Sequence, residues 1–165
     1  MKPTLFTIIF ISICISLKAQ CKEGEKIFEY IELDVSSDKE FNKYEKIESA
    51  VGSKAIKLRE CGILLYLSSR EPNKVYSFEL FNIDGYKLNK LPANIQWDDS
   101  WEAVADSLRN FPEKFAEPEI VEDGLNSVVT TTYLPLHKEG EYSMVLIIKY
   151  YEGEISRIAV SGGKY

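Results

Sequence analysis

Hydrophobic and polar positions along the chain follow two rhythms, one of two residues and one of three to four. Residues 27–34 (IFEYIELD) are rich in β-branched and aromatic types and predict a strand. Ser37-Asp38-Lys39-Glu40 has the form of a capping box, and Phe41, Tyr44, Ile47 and Val51 then recur at three- and four-residue steps up to Gly52. That spacing predicts a helix. Short strands are predicted over 54–60 and 63–68, joined through Cys61-Gly62, followed by a turn at 70–74 and a strand over 75–82.

A loop with Asp84-Gly85 and Leu91-Pro92 leads to the second half. Asp98 or Asp99 can cap a helix running to about Phe111, with Trp101, Val104, Ala105 and Leu108 on its apolar side and Pro112 as its stop. Residues 115–127 read as an irregular acidic connection. Strands are predicted over 128–134, 142–151 and 155–161, the last two closed into a hairpin by Glu152-Gly153-Glu154. Met144–Ile148 is apolar throughout, as in a central strand covered on both faces, and Gly162-Gly163 reads as a flexible tail.

The grouping of elements predicts an α+β fold: two helix-plus-three-strand antiparallel units packed as one compact domain over 21–165. The units span 37–82 and 98–161, and their shared order suggests an internal duplication.

The first twenty residues follow a different rule. Lys2 precedes the apolar run 5–17 (LFTIIFISICISL), and Ala19-Gln20 offers a cleavage region, the layout of a secretory signal peptide over 1–20. The run is shorter than the roughly 20 residues a membrane-spanning helix needs, and no later run is longer, so no transmembrane segment is expected once the signal is removed. The expected location is the periplasm, the cell surface or the medium.

Removing that segment takes Lys+Arg from 20 to 18 against 26 acids, moving the net charge from −6 to −8. Such an excess of acid argues against nucleic acid as a partner. Cys14 would leave with the signal, and Cys21 and Cys61 would remain in an oxidising compartment. Three readings of Cys21 stand open: a disulfide to Cys61, an acylated lipoprotein cysteine, or a free thiol.

Recognisable catalytic chemistry is sparse. His137 is the single histidine, and no nucleophile elbow, phosphate loop, dinucleotide fingerprint or calcium loop accompanies it. No cofactor and no metal are expected, since zinc would require several His or Cys ligands at short spacing. Asp99, Glu102 and Asp106 fall at three- and four-residue steps on one helix face, with Trp101 adjoining. Such a face is a candidate surface for a basic protein partner, extended by Glu117, Glu119, Glu122 and Asp123.

Residues 99–114 (DSWEAVADSLRNFPEK) resemble the helix of small outer-membrane assembly lipoproteins, in which a valine, a leucine one turn on and a Gly-x-Pro precede a strand meander. Val104, Leu108 and Pro112 match in type, whereas Asn110 stands where the glycine would be. The likeness covers about a third of the chain and touches core and capping positions. Tandem helix-plus-meander units are also similar to some bacterial immunity proteins, which neutralise secreted toxins. The resulting expectation is an exported, non-catalytic protein-binding module, with an immunity-type inhibitor as its sharper form. An envelope assembly or scaffolding accessory, lipid-anchored through Cys21, is the alternative, and a small hydrolase using acidic residues comes third.

Overall fold

The computed structural model describes residues 21–37, 41, 44–48, 54–83, 87–123, 125–134 and 143–163. The expected signal peptide 1–20, Asp38–Glu40, Val51-Gly52, Asp84-Gly85 and His137 lie outside the described residues.

Among those residues the dominant element is one antiparallel sheet. Its strands are β1 (Glu45–Glu48), β2 (Lys54–Leu58), β3 (Ile63–Leu67), β4 (Val75–Phe81), β5 (Glu119–Asp123), β6 (Asn126–Tyr133), β7 (Ser143–Tyr151) and β8 (Glu154–Gly163). Their spatial order is β1-β2-β3-β4-β8-β7-β6-β5. Two four-strand meanders therefore lie side by side, joined along their last strands, β4 and β8. The α-helix α1 (Trp101–Arg109) and 3-10 segments, among them Gly24–Tyr30, complete the described structure.

This architecture corrects the expected pair of helix-plus-three-strand units. Glu45–Glu48, placed by spacing inside the first helix, pairs as a strand with β2, Ile47 opposite Ala55. Ladder hydrogen bonds to a neighbouring strand outweigh a helical spacing that local sequence alone suggested. Residues 27–34, expected as a strand, enter through a 3-10 segment and the turn after it, in which Ile27, Phe28, Tyr30 and Ile31 are buried while Glu29 and Glu32 face outward. A repeat of three suits a 3-10 turn, not the alternation of a strand. The supposed irregular connection 115–127 contains β5, and Gly162 belongs to β8, where a Cβ would stand 2.6 Å from Ile31 Cγ2.

The remaining strands lie where alternation predicts. Two ladders of side chains cross the covered face of the sheet. One runs Ile56, Leu65, Phe78, Val160, Leu146, Thr131; the other runs Leu58, Ile63, Leu80, Ile158, Ile148, Val129. All are buried. The N-terminal segment, Leu88 through Trp97 and α1 lie over this face, with Phe28 stacked on Tyr133 at 3.8 Å and Trp97 Nε1 donating to the Leu88 carbonyl at 2.9 Å. Trp97 thus buries a large apolar area while its indole N–H keeps a partner.

Cys21 and Cys61, 40 residues apart, form a disulfide with Cα atoms 5.9 Å from each other. It pins the start of the 3-10 entry segment to the β2–β3 corner, where Gly62 takes the left-handed conformation at φ 63°. The bond occupies the sulfur that acylation of Cys21 would require. Closing a loop of this length contributes about 4 kcal/mol on the chain-entropy model. Replacing both cysteines with alanine is expected to lower unfolding stability by about 3–4 kcal/mol in urea titration. An unchanged midpoint would contradict the staple's structural role.

Candidate functional site

The sequence-predicted acidic face sits on α1, which Ser100 caps in place of Asp98 or Asp99: Ser100 Oγ accepts from Ala103 N at 3.3 Å. Asp99 is half-buried, and its Oδ2 accepts from Gln96 N at 2.7 Å, bracing the turn before the helix. Trp101 packs partly against the core, so only part of its ring faces solvent. Glu102 is exposed in the first turn. Asp106 Oδ1 accepts from Arg109 Nη1 at 3.0 Å, and Arg109 Nε donates to Glu117 Oε1 at 2.7 Å. Arg109 thus stands between the helix acids and the acidic stretch expected to extend them, and offsets both. Of the four predicted residues, Glu102 alone presents a carboxylate with no hydrogen bond or ion pair among the described residues.

Tyr150 lies within electrostatic reach of this face. It is buried, its hydroxyl has no hydrogen-bond partner among the described residues, and burial chiefly, then the charges of Asp99 and Glu102, raise its pKa above the usual phenol range.

The opposite face of the sheet has the other character. Alternation along each strand turns a second set of residues away from the core. Leu64, Glu79, Ala159, Ile147 and Thr130 form one row; Tyr66, Ser77, Ser161, Val145 and Thr132 form the next; Phe81, Arg157, Lys149, Val128 and Val121 form the third. Val121 and Ser161 are exposed, and the others are intermediate in burial, shielded by their neighbours in the sheet. No described element lies over them.

A polar chain crosses this apolar ground. Tyr66 Oη donates to Glu79 Oε2 at 3.0 Å, and Arg157 Nη1 donates to Glu79 Oε1 at 3.1 Å. Arg157 is directly opposite Lys149, whose ammonium makes no ion pair among the described residues. At the β1–β4 end the face dips into a groove of about 570 Å³, lined by Ile47, Lys57, Leu64, Phe81 and Ile83 among others. Tyr66, Glu79, Lys149 and Arg157 were absent from the sequence-level candidates. Alternation marks each as facing one way along its own strand, but the β3–β4, β4–β8 and β7–β8 pairings are needed to bring them together.

These groups can bind charge and apolar surface. Among the described residues no group of three or more His, Cys, Asp or Glu gathers to hold a metal ion. No described helix is long and apolar enough to cross a membrane. Neither a protein-family model, nor a curated protein, nor a solved structure matches the chain.

Two outcomes are expected. Removing the unpartnered hydroxyl with Tyr150→Phe should leave stability unchanged or raise it by up to about 1 kcal/mol, because a buried, unsatisfied polar group is a cost. A loss of more than about 1 kcal/mol on thermal or urea unfolding would reveal a partner for that hydroxyl. The second concerns Tyr66, whose pKa is pushed up to about 12 by burial first and by the Glu79 carboxylate second. Its unfolded value is near 10, so the native state holds this proton more tightly, and stability should fall as pH rises from about 10 to 12. Glu79→Gln should bring the midpoint down without reaching 10, because the burial remains. Absorbance titration of wild type against Tyr66→Phe checks both, and a wild-type midpoint at 10 would contradict the geometry.

Proposed function

We propose that this chain is an exported, non-catalytic protein-binding module that docks its partner on the open face of the sheet. One observation carries the reading. Met144–Ile148 has the composition of a strand covered on both faces, yet Val145 and Ile147 face a side that no described element lies over. Leu64, Ala159, Val128 and Phe81 continue that surface on neighbouring strands.

Its dimensions suit a protein. Eight strands at about 4.8 Å spacing span about 34 Å, and six paired residues at about 3.4 Å span about 20 Å. The product, about 700 Å², is close to the roughly 800 Å² that each partner contributes to a standard interface. Mixed apolar and hydroxyl side chains on a broad pleat fit a second protein surface better than they fit a small solute, which needs an enclosing concavity. An immunity-type inhibitor of an envelope-acting toxin is the sharper form of this reading, supported by the small size, the acidity and the stapled N-terminus. The envelope-accessory alternative keeps the binding role but loses its lipid anchor when Cys21 is held in the disulfide.

The two candidate surfaces separate in one experiment. Wild-type protein immobilised against an envelope extract of its own cells should retain a partner. Ile147→Arg should lose it, and the Asp99→Asn, Glu102→Gln, Asp106→Asn variant should keep it, both variants unfolding at the wild-type midpoint. Loss by the triple variant with retention by Ile147→Arg would transfer the binding role to α1.

A further inference from the structure

We infer that the open face recognises a carboxylate of its partner, an Asp or Glu side chain set among apolar residues, through Arg157 and Lys149. The inference rests on the open face being the docking surface and specifies what it selects.

Arg157 and Lys149 occupy directly opposed positions on β8 and β7. Like charges placed opposite each other destabilise a sheet, so the pair works against the free protein. Only one member is compensated. Both oxygens of Glu79 are committed, Oε1 to Arg157 and Oε2 to the Tyr66 hydroxyl, and Lys149 has no carboxylate among the described residues. Arg157, Lys149 and Glu79 sum to +1 on a chain whose net charge is −6, so this cluster carries the sign opposite to that of the chain as a whole. An anionic partner group meets a local field that favours it, although the chain as a whole repels it.

The guanidinium is also positioned in advance. Tyr66 anchors Glu79, Glu79 anchors one nitrogen of Arg157, and the rest of the planar fork remains to receive a carboxylate. A β-bulge falls immediately after Lys149, between it and Tyr150, a device that re-aims side chains beside binding sites. Phe81 flanks Arg157 on one side, Val128 flanks Lys149 on the other, and Ile147 and Ala159 lie one row away. Once covered, this apolar surround would exclude water and strengthen the ion pair. A protein carboxylate with apolar neighbours satisfies charge and surround together.

The test uses two peptide probes, acetyl-Leu-Val-Glu-Val-Leu-amide and the same peptide with Gln for Glu, titrated into the full protein by NMR. The Glu peptide should shift the Arg157 Nε–H and the Ile147 methyls and bind at least tenfold more tightly than the Gln peptide. That difference should collapse in Lys149→Gln, whose own melting temperature should equal or exceed wild type once the like-charge opposition is gone. Equal binding of both peptides at the open face would overturn the carboxylate inference while leaving the docking face in place. Shifts confined to α1, or no shifts, would overturn both. A solution dimer that Ile147→Arg disperses would assign the face to a second copy and overturn the inference, and a fall in the Lys149→Gln melting temperature would remove its energetic basis.

Discussion

The hydrogen-bonded seam between β4 and β8 is the constraint on which the rest depends. It joins the two meanders into one sheet, Phe78 opposite Val160 and Leu80 opposite Ile158, and so makes a single covered face out of two halves. Every described covering element lies on that side. The N-terminal segment delivers Ile27, Phe28 and Tyr30 there, the long β4–β5 connection delivers Leu88, Leu91, Ile95 and Trp97, and α1 adds Val104 and Leu108. A sheet of this width has two faces, and the described chain supplies cover for one. The open face follows from this division of material, and with it a row of aliphatic side chains that burial against another surface would stabilise.

The free protein tolerates such a face through its polar insertions. Thr130, Thr132, Ser77 and Ser161 separate the aliphatic positions, and the Tyr66–Glu79–Arg157 chain breaks the centre. The sheet edges are guarded too. β1 carries Glu45, Lys46 and Glu48, and β5 carries Glu119, Glu122 and Asp123, charges that discourage edge-to-edge pairing between copies. With the edges protected by charge, the flat of the sheet is the broad apolar surface that no described element covers. The acidic helix has a different economy, because Arg109 answers Asp106 and Glu117 from within.

Much of this was legible in the residues. Strands β2, β3, β4, β6, β7 and β8 announce themselves by alternation and β-branched content, and α1 by its apolar stripe and by Pro112, while the disulfide is one of the three readings that Cys21 and Cys61 leave open. Other features were not, β5 and the Gly162 end of β8 among them. The Phe41–Val51 spacing imitates a helix because three- and four-residue intervals also arise by chance in a short charged edge strand, whose identity depends on Ala55 and Lys57 opposite it. The composition of residues 27–34 imitates a strand, although Glu29 and Glu32 mark a three-residue repeat. The cation pair was illegible because Lys149 and Arg157 become neighbours only through the β7–β8 hairpin register, which the bulge after Lys149 shifts. The same bulge makes a count from the turn unreliable.

The most direct test of the account is whether β7 is covered on one side only. Methyl NMR with a soluble nitroxide reports solvent approach residue by residue along the strand. The structure predicts strong broadening at Val145 and Ile147, with Met144, Leu146 and Ile148 protected between them, a two-residue alternation of accessibility. Uniform protection along Met144–Ile148 would show that the second face is already covered, and would contradict the open face from which the binding role is drawn.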